Sequence, residues 1–517
     1  MLAIAALLMV SAAPPAGPDC QAAMGGLFAD EEPALPEPVD GAALAGRDAL
    51  LALRRSRGDA LIVVNGGDFS GADLRGARLH NICFVETDLA GSDWRGAEAP
   101  GIGFVRANLE RANFAGARLP RILLREPNMK DVDASGADLS EGKLDGGWGG
   151  SLEAARFDRA NLRGFRFDCG ITIGDGCPLD QDISFRGADL SGASLNSFSG
   201  SGEWAEARLD RTEISLNQLR EMNAARIAGP VLLAGGDASV ELSPAEHAAL
   251  LPRIRMPSEA ERPSFDCGRA RSAAEREICG ELGGTLRALD LAVAGLYRQA
   301  LAVNPGVAEA QQAWLRERDR CTASEAATLS WCLERSYEVR KAELIAAVGP
   351  PSWAIPGAVA LFIEPRVDFD PPFADEPLYR RLLPVIVGAA FSRAVVRVNP
   401  DGTIDARGES VGANAHTCTL TGDGLRFDSA TGWYSGERRA EESDPPEWRG
   451  RPMRVLQFWG DRLEVFQGGH ARGAGEGDPR YSDYASCGAR AGFGEMIRVP
   501  VEEDEARRMF ETYSELD

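Results

Sequence analysis

From Phe69 to Leu144, an apolar residue recurs at every fifth position. The series runs through Phe69, Leu74, Leu79, Phe84, Leu89, Trp94, Ala99 and Phe104 and continues in step to Leu139 and Leu144. Two residues ahead of many of these stands a small or aliphatic residue, as at Ala72, Ala77, Ile82, Ala97, Ile102 and Ala107. A period of five fits neither a strand, which repeats in two, nor a helix, which repeats in 3.6. It predicts a solenoid, in which each repeat buries its apolar face by stacking on its neighbours. The phase slips after Gly146–Gly150, resumes at Leu152, Phe157, Leu162 and Phe167, and breaks again between Cys169 and Asp182. It returns at Phe185, Leu190 and Leu195 and closes with Trp204, Leu209 and Ile214. Such slips read as loops thrown out from corners.

The pattern then changes. Residues 14–60 form a leader ending in a short helix, Ala42–Arg57, which would cap the open first coil. Residues 61–220 carry the repeat, and 221–263 read as an end cap and linker, with His247 on its surface. Within 264–347, Ile278, Leu282, Leu286, Leu289, Val293, Leu296 and Ala300 are spaced by three and four, one face of an amphipathic helix. Asn304-Pro305 supplies an N-cap and a first-turn proline for a second helix. Thr322-Ala323-Ser324-Glu325 has the capping-box form that would open a third. Residues 352–517 mix β-type runs such as Ala394–Val398, Met453–Phe458 and Leu463–Phe466 with the turn signal Asn399-Pro400-Asp401-Gly402. They predict a mainly antiparallel β domain with a short acidic helix after Glu502.

Charge and cysteines add the setting. A net charge of −22 over 517 residues disfavours binding to a nucleic-acid backbone. The short apolar run Leu2–Val10, followed by Ser11-Ala12-Ala13, reads as a signal peptide over residues 1–13, although it lacks the usual basic start. No run is long enough to span a membrane. The ten cysteines show no Cys-x-x-Cys zinc spacing, so disulfides and a periplasmic or secreted location are expected. Cys169 and Cys177 would close their own loop, and Cys418 would join Cys487. Cys83 either pairs with Cys20 or remains a free thiol. Cys267, Cys279, Cys321 and Cys332 allow three pairings, of which the sequence-local one is favoured. There is no Gly-x-Ser-x-Gly elbow, His-Glu-x-x-His or P-loop, and His416 and His470 lie outside any nucleophile motif. No catalytic residue, metal or cofactor is therefore expected.

Two resemblances refine these expectations. Gly71-Ala72-Asp73-Leu74-Arg75, Arg106-Ala107-Asn108-Leu109-Glu110 and Gly136-Ala137-Asp138-Leu139-Ser140 resemble the pentapeptide-repeat family. That resemblance implies a right-handed quadrilateral parallel β-helix with four repeats per coil. Some pentapeptide proteins mimic DNA and bind topoisomerases, which gives one alternative function; a rigid interaction scaffold is another. The helical segment resembles the LprI family, on its four cysteines and on Glu275, Asp290, Tyr297, Gln311, Trp314, Arg318, Tyr337 and Arg340. This implies a small disulfide-bonded three-helix domain and a protein partner, lysozyme or another envelope muramidase. By residue type, Tyr297, Trp314 and Tyr337 suit a helical core, and Asp290, Arg318 and Arg340 suit internal ion pairs. The residues 265–345 hold 11 basic and 12 acidic residues, so the negative charge that could steer a basic enzyme lies in the flanking parts.

Overall fold

The computed structural model describes residues 19–24, 35–44, 46–146, 150–168, 182–195, 202–221, 229–255, 262–280, 283–322, 328–369, 375–412, 416–437, 452–466, 484–487 and 491–514. The signal peptide, the Cys169–Cys177 loop and His470 fall outside them. The chain forms two compact units, Met1–Ala234 with Ser239–Pro252, and Gly235–Ala238 with Arg253–Asp517.

The first unit is the solenoid. Strands β1 (Val39–Asp40), β2 (Ile62–Asn65), β3 (Ile82–Val85), β4 (Gly103–Val105), β5 (Leu123–Arg125), β6 (Lys143–Asp145) and β7 (Arg166–Asp168) stack in order, and every pairing is parallel. Three further ladders run beside this sheet, such as Asp68–Asp88–Asn108–Asn128 and Asp73–Asp93–Asn113–Asp133. One coil is thus 20 residues, four repeats of five, as the register of Asn108 on Asp88 records. Where the five-residue phase slips, the step grows to 23 and then 28 residues. The ladders continue across both insertions.

The core follows from this register. Each fifth residue points inward and sits on its equivalent one coil away, so Phe84 stacks on Phe104 at 5.7 Å and Trp94 on Phe114 at 5.5 Å. The small members of the series, Ala99 and Ala134, are buried in the same core as these large rings. The Trp94 indole N–H donates to Ser92 Oγ at 2.8 Å, so the largest buried ring leaves no unpaired donor. The corners impose a second rule. From Gly66 to Glu141, every fifth residue has a φ between +47° and +68°, including Asn81, Glu86, Arg106, Arg111, Arg121 and Asp131. Left-handed backbone favours glycine, and an ordinary L-residue there costs roughly 1–2 kcal/mol.

Both ends of the stack are covered. Helix α1 (Cys20–Met24) lies on the outer face of the sheet, where Cys20 is disulfide-bonded to Cys83 and Asp19 accepts a 2.6 Å bond from Arg121. Cys83 is fully buried among Val63, Val105 and Leu123, and a Cβ at Gly103 would lie 2.0 Å from the Cys20 sulfur. Helix α2 (Gly46–Arg57) sends buried Arg54 into the carbonyls of Ala60 and His80 at 2.7 and 2.8 Å. At the far end come β8 (Ile183–Ser184), β9 (Gly202–Glu203), β10 (Glu213–Ser215) and α3 (Leu216–Glu221). The stack does not stop at residue 220. Strand β11 (Val231–Gly235) pairs in parallel with β10, and β12 (Ala238–Leu242) and α4 (Pro244–Leu250) follow. His247 is buried rather than on the surface, because the face of α4 that carries Leu250 carries it too; burial lowers its pKa.

The second unit combines helices and a barrel. It opens with β13 (Ile254–Arg255) and helices α5 (Ala273–Ile278), α6 (Gly284–Val303), α7 (Val307–Arg318) and α8 (Leu329–Val348). Next come β14 (Val359–Glu364), β15 (Asp368–Phe369), α9 (Pro377–Ala389), β16 (Ser392–Val398), β17 (Ile404–Val411), β18 (Thr417–Asp428) and β19 (Trp433–Glu437). The chain continues through β20 (Pro452–Trp459), β21 (Arg462–Val465), β22 (Ala485–Cys487), β23 (Met496–Val499) and α10 (Glu503–Ser514). The sheet order is β17-β16-β14-β23-β21-β20-β19-β18, and β18 pairs back on β17, which closes an eight-stranded antiparallel barrel. The ninth strand, β22, adds to β18 with Cys418 opposite Cys487, and the two are disulfide-bonded. Inward residues Phe362, Tyr434 and Phe458 fill the barrel, and Trp353 packs on Phe458 at 5.3 Å. Outside, α10 lays Phe510 under the Arg397 guanidinium at 4.4 Å.

The helices do not form a separate domain. Trp459 and Phe427 of the barrel join the helical core, and Lys341 of α8 pairs with Glu464 of β21 at 2.7 Å. At Gly432, φ is +73° and an added Cβ would lie 2.5 Å from the Ala342 carbonyl oxygen, so the barrel meets α8 backbone to backbone.

The corner rule is testable. At Gly116, φ is +66° and an added Cβ meets nothing within 4 Å, so any cost of a side chain there is backbone strain. Gly116→Val is expected to destabilise the first unit by about 1–2 kcal/mol. Gly116→Asn should cost clearly less, as read by urea unfolding of the two variants.

Candidate functional site

The helical part carries the residues singled out by sequence. Its first turn is set by Ser272, whose hydroxyl accepts from Glu275 N, while the Glu275 carboxylate accepts from Arg271 N at 2.6 Å and Ser272 N at 3.0 Å. Those backbone donors hold the Glu275 carboxyl below its ordinary pKa. The single helix expected through Ile278 and Ala300 is two. Helix α5 ends at Ile278, and the chain turns so tightly that a Cβ at Gly283 would lie 2.4 Å from the Ile278 carbonyl oxygen. Arg287 caps the break by donating to the carbonyls of Ile278 and Gly280.

Two other helix starts also differ from expectation. Asn304 ends α6 and its side chain accepts from Gly306 N, so α7 begins at Val307 without a side-chain cap. Helix α8 begins at Leu329, capped by Thr328, whose hydroxyl accepts from Trp331 N. Thr322 therefore does not cap it. At α8 a nearer residue with the same hydroxyl, Thr328, does the capping.

Cys267 bonds to Cys279 across α5, and Cys321 bonds to Cys332 between the end of α7 and the start of α8. Between these staples lies a buried polar chain. The Tyr337 hydroxyl donates to Asp290 Oδ1 at 2.8 Å and accepts from Arg318 Nη1 at 3.0 Å, and Asp290 Oδ2 accepts from Ser264 N at 2.6 Å. Burial, reinforced by the Asp290 carboxylate, pushes the Tyr337 phenol well up. Asp290 and Arg318 are thus linked through Tyr337, and the direct ion pair of Arg318 is with Asp319 at 2.7 Å. Arg340 donates to Gln311 Oε1 at 2.8 Å and pairs with Glu343. Tyr297 packs half-buried against the core. Trp314 meets Tyr337 edge-on at 5.0 Å and donates to Ser336 Oγ at 3.1 Å.

Trp314 and Arg340 also face outward into a groove of about 750 Å³ between α7 and α8, floored by Cys321–Cys332. The groove brings together residues that motif reasoning missed: Arg320, Arg335 and Val339. Val339 is 54% exposed although Arg340 and Lys341 next to it are buried. An apolar residue off the buried stripe Leu333–Tyr337–Leu344 was its only signal in the sequence. Glu317 and Glu343 offset Arg320 and Arg340 at its edges. Glu275, Asp290, Tyr297, Gln311, Arg318 and Tyr337 do not line it. Among the described residues, no group of His, Cys, Asp and Glu could hold a metal ion, and no helix is long and apolar enough to cross a membrane.

Comparison with known proteins bears on the first unit. Eight copies of the family described as "Pentapeptide repeats" match residues 64–91 and 104–145. Over these residues the solenoid of the first unit is built of pentapeptide repeats. Among solved structures, the chain is similar to QnrB1, a plasmid-mediated fluoroquinolone resistance protein, at 15% identity over 32% of this chain and 92% of that one, with a TM-score of 0.18. It is also similar to HetL, a pentapeptide repeat protein involved in heterocyst differentiation regulation in the cyanobacterium Nostoc, at 23% identity over 35% and 91%, with a TM-score of 0.14. A thylakoid-lumen pentapeptide repeat protein of Arabidopsis thaliana is similar at 20% identity over 25% and 61%, with a TM-score of 0.08. Scores this low carry nothing beyond the repeat. No curated protein matches the chain.

The buried chain and the cap each generate a test. Tyr337→Phe leaves Asp290 and Arg318 without their shared partner and should cost about 1–3 kcal/mol in urea unfolding. For Glu275, the folded pKa lies below the ordinary 4.5, so its contribution is present above pH 4.5 and is lost as pH falls through the lower folded value. Glu275→Gln should therefore lower stability at neutral pH and flatten its decline below pH 4.5, as read by thermal melts across the acid range.

Proposed function

We propose that this is an exported, non-enzymatic binding protein of the bacterial envelope, which docks a protein partner on the α7–α8 groove and carries a pentapeptide-repeat solenoid as its rigid scaffold. The observation that carries the reading is exposed Val339 beside Trp314 in a concave surface whose walls are tied by Cys321–Cys332. Apolar anchors ringed by arginine and tryptophan are what protein interfaces use. Export is supported by four disulfides, and no cysteine among the described residues is free. The LprI resemblance names the partner class, a lysozyme or another envelope muramidase. The groove itself holds three arginines against two glutamates, so attraction of a basic enzyme would come from the acidic flanks. The topoisomerase-mimic alternative is disfavoured by the solenoid surface, where Asp73, Asp93 and Glu86 are paired with Arg75, Arg95 and Arg106 and interrupt any anionic stripe.

The test uses the full chain, because the helical core is shared with the barrel. Lysozyme should be inhibited at micromolar concentration, and Val339→Glu should weaken inhibition by about tenfold or more without moving the melting temperature. No inhibition by the unaltered chain would remove the muramidase as partner. Recovery of an uncleaved chain from the cytoplasm would remove export.

A further inference from the structure

A second concave site lies elsewhere in the same unit. Helix α6 has two apolar faces. Leu286, Leu289, Val293 and Ala300 fill the helical core, Ala288, Leu291 and Gly295 face a cavity of about 570 Å³, and Ala292 and Leu296 touch both. That second face is built mostly of small residues, so α6 leaves a void where larger side chains would have closed it. At Gly295 an added Cβ would meet nothing nearer than the tip of Arg298 at 4.0 Å. The opposite wall is large and apolar, formed by Phe369, Tyr379, Ile386 and Trp459, of which the last three are buried. The cavity has the size and apolar lining of a small-molecule site.

Its charged residues come in matched pairs. Arg498 is bonded to Asp461 at 2.6 Å, and Arg462 is bonded to Glu495. An anionic ligand would have to compete with a carboxylate for its arginine, and a cationic one with an arginine for its carboxylate. An uncharged polar group can hydrogen-bond to these side chains without breaking either pair. We propose that this cavity binds a neutral amphiphile, with an apolar chain or ring between α6 and the barrel and an uncharged polar head among Asp461, Arg462, Glu495 and Arg498.

The experiment titrates the full chain with the neutral fluorophore N-phenylnaphthylamine and displaces it with monolauroylglycerol, laurate or dodecylammonium. The expected result is saturable probe binding, with monolauroylglycerol displacing it at a concentration about tenfold or more below either charged competitor. Ala288→Phe and Gly295→Leu, which fill the cavity from the α6 side, should each weaken probe binding about tenfold with an unchanged melting temperature. Absence of saturable binding by the unaltered chain would overturn the site, as would undiminished binding by both filled variants. Displacement by a charged competitor as good as that by the glyceride would overturn the neutral head group. The competition series needs no variant, so it decides the question even if a filled variant fails to fold.

Discussion

The first unit rests on one constraint: the backbone must turn a corner every five residues with a positive φ. That turn places each inward residue above its equivalent one coil away. The stacking of Phe84 on Phe104 and of Trp94 on Phe114 follows from it. Glycine meets the constraint without strain at Gly71, Gly91 and Gly116. Arg106, Arg111 and Glu141 meet it because the parallel bonds on both sides hold them there. The same register explains why insertions are tolerated. A coil of 23 or 28 residues returns to the same ladders, so the described positions on either side keep their register.

The second unit depends on close approach. Gly432 lets the barrel reach the α8 backbone, and Lys341 beside it is buried between Glu338 and Glu464 with its ammonium 4.6 Å from the Trp459 ring. Burial opposes the charge on Lys341, and the two carboxylates more than offset that, so its pKa is raised. The helices therefore share a core with the barrel. The two sequence-local disulfides tie the segment ahead of α5 to its C-terminal end and the end of α7 to the first turn of α8. The cross-strand bond from Cys418 to Cys487 closes a 69-residue separation, worth roughly 4 kcal/mol on chain-entropy grounds, and holds the short strand β22 in place.

The residues chosen by resemblance divide in a way that bears on function. Glu275, Asp290, Arg318 and Tyr337 are architectural: one caps a helix and three form a buried hydrogen-bonded chain. Trp314 and Arg340 are shared between that architecture and the groove. The exposed members of the groove, Val339, Arg320 and Arg335, belong to no motif, because exposed side chains do not fix the helical framework. The motif marks that framework.

The sequence by itself determined the local periodicities: the five-residue repeat and its core, the three-and-four spacing of the helices, and the alternating runs of β16, β20 and β21. These are properties of neighbours along the chain, so they are legible without coordinates. Tertiary structure alone decided the rest. Barrel closure depends on β14 meeting β23, a pairing between distant segments that no local pattern encodes. The start of α8 fell to Thr328 rather than to Thr322, which carries the same capping hydroxyl, and the break at Gly283 was set by close backbone approach to Ile278. Cys83 paired because α1 covers an outward-facing position of β3, with Gly103 leaving room for the sulfur. Local spacing sets which face of an element is apolar, whereas only packing decides what that face is buried against.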